Sequence, residues 1–332
     1  MTGDQNGWGE YSRLVLKELE TLAKGIEALK VQIGDLKSEI AELKAKEDKV
    51  KELSAWKERI DEVASPTQLK EMQEMVKKDP NIKIHRNEGP NRLGHTILYD
   101  TLVNDYATND IVMIYHADMY ACPGLDEAIH KRLEPGTVVS ATRIEPPLHP
   151  DGPEKILHDC GIEPEEFDEQ KLFEFLNTTN INDKPTKGIF APWAIYKKDF
   201  QDINGHDPLY APQSKEDSDI FNRFVLAGYD LVQTWEGFVY HMTSRGSRFK
   251  DGAMRNPAGQ VFMKGRESTE WLEQNLRSTR NFIRKWGHMV KHDNMMFPII
   301  PPKYDVGFVV KNCDSKMLRE LEPWCSTIYT DC

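Results

Sequence analysis

The spacing of apolar positions divides the chain into two segments of different texture. From Val15 to about Val63, apolar side chains recur at alternating spacings of three and four, and the segment contains no proline. Two seams of aliphatic residues result: Leu19, Ile26, Ile33 and Ile40 form one, and Leu22, Leu29, Leu36, Leu43 and Val50 form the other. This spacing predicts a coiled-coil oligomerisation helix within residues 1–65.

The residue types along the two seams predict how many helices associate. Isoleucine in the first seam with leucine in the second favours a coiled coil of two parallel helices, so we predict a homodimer. Glu39 lies where it can pair with Lys44 of a neighbouring chain, although such a surface pair contributes only ~0.5 kcal/mol. Glu47 falls on a seam and should loosen it. The alternative is a single amphipathic helix that folds back on the rest of the chain.

The helical pattern stops at Ser65 and Pro66, where we predict a hinge and a new helix that begins at the proline. Beyond it, short strands and helices alternate, as in α/β domains. Helices are predicted at 94–107, 123–133, 166–177, 217–229 and 267–287. Strands are predicted at 81–87, 110–116, 137–145, 188–200, 230–241 and 304–313. The predicted domains are residues 1–65, 66–250 and 251–332, the last comprising a helix and a small α/β extension.

Length, composition and charge add further expectations. The 332 residues, 39% of them hydrophobic, are enough for a large core, and the net charge of −11 argues against a broad nucleic-acid surface. No apolar run reaches the ~20 residues of a membrane span, and the first residues lack signal-peptide features, so we expect a cytoplasmic protein without a membrane span. The five cysteines form no C-x-x-C pair and are expected to be reduced thiols.

A polar triplet ends the predicted buried strand at 110–116. His116 and Asp118 flank Ala117, and alternation places both side chains on one side of the strand. Ligands bind at strand ends in open α/β sheets. An imidazole nitrogen and a carboxylate oxygen suit a divalent ion such as Mn²⁺ or Mg²⁺ that also accepts phosphate oxygens. The alternative is a satisfied buried histidine beside a helix-capping aspartate.

Three acids open the predicted helix at 217–229. Glu216, Asp217 and Asp219 lie in its first turn, where carboxylates complement the helix dipole. A capping role alone is the simpler interpretation, but three acids exceed what a cap needs.

A third cluster follows the predicted strand at 230–241. His241 ends the strand, and Arg245 and Arg248 follow in a glycine-containing loop. Two arginines there could clamp a diphosphate, whereas the alternative is an ordinary surface loop.

The order of these clusters resembles a known family. The stretches "NEGPNRLGHTILYDTLV", "IYHADMY", "GIFAPWAIYKKDFQDINGHDPLYAPQSKEDSDIFNRFVLAGYDL" and "FVYHMTSRG" are similar to GT-A nucleotide-sugar glycosyltransferases of the family-2 type, over roughly residues 72–249. The versions most similar to it are those of bacteriophage and environmental viral genomes. The resemblance implies a Rossmann-like mixed α/β sheet flanked by helices. It also implies transfer of a sugar from a nucleotide-sugar, a UDP-sugar above all, to an acceptor hydroxyl.

The resemblance also implies roles for individual residues. The family's DxD motif binds the metal and the diphosphate, and His116-Ala117-Asp118 occupies that place, with His241 as a further metal ligand. Glu216 and Asp217 match the end of the family's "GGFDE…ED" segment, which makes Asp217 the expected catalytic base of an inverting transfer. Arg92 and Gly94 match the family loop that approaches the nucleotide, and His206 and Asp207 match the start of the "GGFDE…ED" segment and are assigned to the acceptor. Arg245 and Arg248 remain the candidate clamp for the diphosphate. Trp193, which follows Pro192, could stack on an acceptor sugar. For Trp193, a place in the hydrophobic core is the equal alternative.

The chain also departs from the family pattern. Such enzymes begin with a strand of the type "VSVVIPTYN", a helix and a second strand that hold the base and ribose, and nothing like this precedes Met72. The N-terminal segment instead resembles small phage coiled-coil proteins, so the chain reads as a fusion. The alternative function is therefore a non-catalytic interaction protein whose glycosyltransferase-like body has lost its nucleotide-binding strands.

Overall fold

The computed structural model describes residues 66–87, 93–179, 184–242, 253–263 and 269–331. They fall in two compact units, residues 66–87 belonging to one and those from Leu93 onward to the other. The predicted coiled coil and its dimer contact lie outside the described residues, as do Arg92, Arg245 and Arg248. The three predicted domains stay a prediction.

The first unit contains helix α1, Pro66–Lys78, which begins at the proline where the sequence predicts a helix start. The strand predicted at 81–87 is wrong, because residues 82–87 have no regular structure and pair with no other strand. Alternation of apolar and polar side chains is thus not enough by itself to form a strand.

The second unit is built on a mixed sheet, as predicted. Among the described residues the sheet has seven strands, with the order β1-β6-β3-β7-β2 and with β4 beside β3 and β5 beside β7. The strand bounds are β1 Ile111–Ile114, β2 Met119–Ala121, β3 Thr137–Glu145, β4 Lys155–Leu157, β5 Thr186–Lys187, β6 Trp193–Tyr196 and β7 Asp230–His241.

Strand directions determine which residues meet at one edge of the sheet. Strand β3 runs parallel to β7. Strand β6 is antiparallel to both β1 and β3, so β1 runs in the same direction as β3 and β7. The carboxyl ends of these three strands therefore lie at one edge of the sheet. His116 follows β1, Glu145 ends β3 and His241 ends β7.

Seven helices belong to this unit within the described residues. They are α2 Gly94–Thr101, which continues as a π-helical turn at Leu102–Tyr106, α3 Leu125–His130, α4 Glu169–Thr178, α5 Lys197–Asp202, α6 Glu216–Ala227, α7 Thr269–Trp286 and α8 Ser315–Leu321. None of the helices in the described part of the chain is both long and apolar enough to cross a membrane.

The hydrophobic core lies between the sheet and the helices that flank it. It joins residues of β1, β3, β6 and β7 to α3 and α6, with Leu125, Val139, Trp193 and Phe224 fully buried. A second apolar cluster of Tyr210, Phe282 and Trp286 packs α7 against the segment before α6. These contacts fix α6, which carries the three predicted acids.

Residues beyond the sheet form two small additions. Strands β8 Ala253–Arg255 and β9 Val261–Met263 make an antiparallel pair. Strands β10 Gly307–Val310 and β11 Thr327–Thr330 make a parallel pair, with α8 between them in the chain. The strand predicted at 304–313 is confirmed as β10, whereas β11 was not predicted.

Two short elements differ from the prediction near the site. The residues after Asp118, for which no element is predicted, form β2, which pairs antiparallel with β7. The strand predicted at 188–200 is limited to β6, Trp193–Tyr196, and the residues from Lys197 onward form helix α5. Both elements depend on contacts with distant parts of the chain, which a local pattern does not record.

Candidate metal centre and acid cluster

The structure brings His116, Asp118 and His241 together at the carboxyl edge of the sheet. One ligand atom from each residue lies within 4.8 Å of the other two. Nε2 of His241 is 3.5 Å from Oδ2 of Asp118. The connection from β1 to β2 consists of residues 115–118, and it is anchored at β7 because the Met242 amide donates to the Asp118 carbonyl at 3.0 Å. Strand pairing therefore places the predicted ligands beside each other.

The three side chains fit a divalent metal ion. Metal–ligand bonds in proteins are about 2.0–2.6 Å long, so donors up to about 4–5 Å apart can share one ion. Each side chain is only partly exposed. Two imidazole nitrogens and one carboxylate suit a first-row transition ion such as Mn²⁺ better than Mg²⁺, which prefers oxygen ligands.

Charges around the three side chains are strongly coupled. Burial lowers the pKa of His116 to about 4, which keeps its imidazole neutral. Burial opposes ionisation of Asp118, but the hydrogen bond and charge of His241 hold its pKa below the ordinary value. Burial likewise opposes a charge on His241, yet hydrogen bonds to Asp118 and Glu145 raise its pKa to about 8. A metal ion would replace the proton of His241 in this arrangement.

A buried network of charged side chains contacts His241 on the side of its ring away from Asp118. The sequence did not predict this network. Nδ1 of His241 is 2.9 Å from Oε1 of Glu145, which is 1% exposed. Arg143 donates to the same oxygen at 2.7 Å, and Lys155 donates to Oε2 at 3.0 Å. Burial opposes ionisation of Glu145, but its three partners hold its pKa far below the ordinary range. The carboxylate is therefore ionised.

Helix α2 brings two aromatic side chains to the same place. His95 and Tyr99 are four residues apart on one helix face, and their ring centroids are 5.7 Å apart. The Tyr99 ring stacks on His116 at 6.4 Å with an interplanar angle of 5°. Burial, with the charges of Asp217 and Glu216, raises the pKa of Tyr99 well above its ordinary range. Tyr99 thus lies between the three candidate metal ligands and the acids of α6.

The first turn of α6 places two carboxylates next to each other. Oε1 of Glu216 is 2.5 Å from Nε2 of His95, whereas Oε2 of Glu216 is buried and has no hydrogen-bond partner within the described residues. Burial and the charge of Glu216 raise the pKa of Asp217 to about 6, against the lowering effect of His206 and His95. Asp217 can therefore exchange a proton near neutral pH.

Asp219, the third acid of this turn, has a structural place. Its side chain is fully buried, and it accepts hydrogen bonds from Tyr210, from Trp286 at 2.8 Å and from Arg223 at 2.8 Å. Lys285 lies 2.7 Å from the same carboxylate. Asp219 therefore joins α6 to α7 and does not face the cluster formed by the other two acids.

Two residues predicted to contact an acceptor are buried. Trp193 is 0% exposed and packs against Phe200, Phe221 and Phe224, so its ring belongs to the core and the acceptor-stacking prediction is wrong. His206 is 3% exposed, and its Nδ1 lies 2.7 Å from Asp100. His206 therefore holds α2 against the loop before α6, and its burial leaves no surface for the predicted contact with an acceptor.

Asp207 and Gly94 have structural contacts that the sequence did not predict. Asp207 caps the short 3-10 helix Pro208–Tyr210 and pairs with Lys285 of α7 at 2.7 Å, and its contact with an acceptor stays a prediction. Gly94 has a φ of +68°, and a Cβ there would lie 1.9 Å from the carbonyl oxygen of Pro212. Gly94 is thus needed for the close approach of α2 to the loop before α6, whether or not a nucleotide also lies nearby.

Glu145, His95 and Tyr99 are the site residues that sequence reasoning missed. Glu145 is the last residue of β3, a strand buried along nearly its whole length, and a charge at that position is the available signal. His95 and Tyr99 share a helix face at a spacing of four, which could have marked them as one surface. The role predicted for Arg92, Arg245 and Arg248 concerns residues that the structure does not describe.

No protein-family model and no curated protein matches the chain. Among solved structures, the chain is similar to one described as "Crystal structure of GalNAc-T7 with UDP, GalNAc and Mn2+", at 10% sequence identity. The match covers 67% of this chain and 40% of that chain, with a TM-score of 0.43. The chain thus spans less than half the length of that structure, and the geometry of the site carries the functional conclusion below.

Proposed function

We propose that the chain is a metal-dependent glycosyltransferase that moves a sugar from a nucleotide-sugar, most directly a UDP-sugar, to an acceptor hydroxyl. The observation that carries the proposal is the contact path from His241 through His116, Tyr99 and His95 to Glu216. It joins a set of metal ligands to a pair of acids at one edge of the sheet. The sequence motifs that resemble GT-A enzymes supply the same residues in the same order.

The two halves of the site have complementary chemical roles in this proposal. His116, Asp118 and His241 would hold a divalent cation, which would supply positive charge for the departing nucleoside diphosphate. Asp217 accepts the proton of the acceptor hydroxyl as the new glycosidic bond forms and the bond from sugar to diphosphate breaks. Because the pKa of Asp217 is about 6, the carboxylate is mainly ionised at neutral pH yet basic enough to take a proton.

The surroundings of Asp217 and His116 set the protonation of these two side chains. Glu216 raises the pKa of Asp217 through its charge and is itself held by His95. The low pKa of His116 keeps one nitrogen free for a metal ion at neutral pH. The proposed donor site also includes Arg92, Arg245 and Arg248, on the strength of the sequence alone. A viral origin, a cytoplasmic location and a dimer made by the N-terminal helix remain predictions from the sequence.

Release of UDP from a panel of UDP-sugars tests the proposal, with water serving as acceptor. We expect release by the full chain in Mn²⁺ and its loss in EDTA. Asp217→Asn should lower the rate by ~10²–10⁴-fold, the usual contribution of a general base. Glu127→Gln is the matched control, since Glu127 is an exposed acid in the first turn of α3. Equal background rates in the wild-type protein and in Asp217→Asn would overturn the proposal.

A second function, a non-catalytic interaction protein, is favoured by one observation. Strand β1 pairs with β6 alone, and no strand precedes it among residues 66–87 and 93–110. The strands that hold the base and ribose in the family are therefore not found in the described residues. Binding of UDP distinguishes the two functions. A glycosyltransferase must bind UDP, whereas an interaction protein that has lost its nucleotide-binding strands should not.

A further inference from the structure

Glu145 contacts the ring nitrogen of His241 that does not face Asp118. In metal-binding histidines this second nitrogen is usually hydrogen-bonded to a carboxylate or a carbonyl. In strand β3, Ile144 pairs with Tyr240 of β7, so the next residues, Glu145 and His241, reach the edge of the sheet side by side. Oε1 of Glu145 is 2.9 Å from Nδ1 of His241. Nε2, on the other side of the ring, is 3.5 Å from Asp118. The ring is thus held between a buried carboxylate and a metal-ligating carboxylate.

We propose that Glu145, fixed by Arg143 and Lys155, is a positioning residue that holds His241 with Nδ1–H toward the protein and Nε2 toward the metal. The inference rests on the proposed function only for the presence of a metal at this site. It adds a residue that the sequence motifs do not include. Ligating histidines typically donate their second N–H to a carboxylate or carbonyl, which sets the tautomer and ring orientation.

Two cationic side chains, Arg143 and Lys155, keep the Glu145 carboxylate in the position from which it can orient His241. Arg143 and Lys155 side chains are 7% and 6% exposed, and each donates to a different oxygen of Glu145. Both oxygens are thereby fixed in place. An ionised carboxylate can only accept, so the hydrogen between Glu145 and His241 must come from Nδ1. The lone pair of the neutral ring is then on Nε2.

A purely structural ion cluster is the competing explanation. Buried ion pairs stabilise proteins little, and apolar residues often replace them without loss, so stability alone is a weak reason for this network. Arg143 also contacts Glu154 at 3.5 Å and stacks on the Phe190 ring at 3.9 Å. Arg143 thus contacts both Glu154 and Glu145, whereas Glu154 makes no contact with His241 within the described residues. It provides the matched control.

Mn²⁺ binding to the full chain tests the inference without any sugar nucleotide. Free Mn²⁺ is measured by electron paramagnetic resonance in wild type, Glu145→Gln and Glu154→Gln. We expect Glu145→Gln to weaken Mn²⁺ affinity by ~10–100-fold, the usual effect of losing such a partner. Glu154→Gln, which removes one negative charge from the same network, should change it less than about threefold. Equal losses in both variants, or no Mn²⁺ binding by the wild-type chain, would overturn the inference.

Pulsed EPR at saturating Mn²⁺ separates positioning from stability. Wild type and Glu154→Gln should show two coordinated imidazole nitrogens, whereas Glu145→Gln should show a smaller coupling from His241. Two unchanged nitrogen couplings in Glu145→Gln would contradict the inference.

A measurement on the wild-type protein covers the case in which Glu145→Gln does not fold. Nuclear magnetic resonance of the Zn²⁺-loaded chain should show His241 with its proton on Nδ1 and the metal on Nε2, assigned with His241→Gln. Metal on Nδ1 would overturn the inference. Mn²⁺ binding without release of UDP from any UDP-sugar would instead remove the proposed function and leave the role of Glu145 standing.

Discussion

Nε2 of His241 lies 3.5 Å from Oδ2 of Asp118, although one residue ends β7 and the other precedes β2. Antiparallel pairing of β2 with β7 brings them together, with Met119 opposite His241 in the ladder. The pair is partly buried, His241 being 13% and Asp118 17% exposed. Strand pairing alone therefore places these two side chains beside each other.

Loss of the Asp118 carboxylate should remove most of the metal affinity. Asp118→Asn takes away the only carboxylate among the three ligands and the charge that faces His241. We expect Mn²⁺ to bind at least ~100-fold more weakly, measured by isothermal titration calorimetry. Asp110→Asn is the control, because Asp110 is exposed at the start of β1. Equal affinities in the two variants would contradict the metal site.

The raised pKa of Asp217 predicts that this residue destabilises the fold at neutral pH. Because its pKa is about 6 in the folded protein and 3.8 ordinarily, the folded state binds the proton more tightly than the unfolded state. Its contribution to stability is present at low pH and is lost as the pH rises from about 4 to about 6. We expect Asp217→Asn to raise the free energy of unfolding at neutral pH by ~1–3 kcal/mol.

Urea unfolding checks this expectation at acidic and neutral pH. The gain from Asp217→Asn should shrink below pH 4 or so, where Asp217 is protonated in both states. Glu127→Gln should show no such gain, since that acid is exposed. A variant Asp217→Asn that is less stable than wild type at neutral pH contradicts the assigned pKa and its cause.

Glu216 should set the pH dependence of the proposed reaction. We expect kcat/KM for a UDP-sugar to rise with pH through about 6, as Asp217 ionises. Glu216→Gln removes the charge that raises the pKa of Asp217, so the rising limb should move to lower pH. The measurement is a pH–rate profile of wild type, Glu216→Gln and Glu127→Gln. A limb that stays in place or moves upward in Glu216→Gln would show that Asp217 is not the titrating base.

Asp219 should matter for stability and not for metal binding. Asp219→Ala leaves Lys285 and Arg223 without their buried partner, and such a loss typically costs ~3–5 kcal/mol in the free energy of unfolding. Asp202→Ala breaks an exposed pair with Lys198 and should cost less than ~0.5 kcal/mol. Chemical unfolding gives both values. A change of under ~1 kcal/mol for Asp219→Ala would contradict its structural role.

Elements with a strong local pattern could be predicted from the sequence. Strand β3 has its predicted bounds because a run of β-branched and apolar residues lies between Pro135-Gly136 and Pro146-Pro147. Helix α6 likewise follows its apolar spacing and ends at Gly228, which has a positive φ. His116, Asp118 and His241 could be selected because polar side chains follow strands there. That the three meet depends on strand directions, which the resemblance supplied.

Other features depend on contacts between distant residues and had no local signal. Strand β2 exists because β7 pairs with it, and three residues are too few for alternation to show. Asp217 and Asp219 lie in the same helical turn, and packing of α7 alone decides that Asp219 is the structural one. Trp193 follows Pro192 and is surrounded by apolar residues in the sequence, which is compatible with either interpretation. Its burial is therefore visible only in the fold.

Binding of UDP to the full chain is the most direct test of the proposed glycosyltransferase. Calorimetric titration of UDP into wild type in saturating Mn²⁺, in EDTA and into Asp118→Asn asks whether the metal site serves a nucleoside diphosphate. We expect saturable binding that requires both Mn²⁺ and Asp118. No measurable heat at millimolar UDP in the presence of Mn²⁺ would contradict it and favour the non-catalytic function.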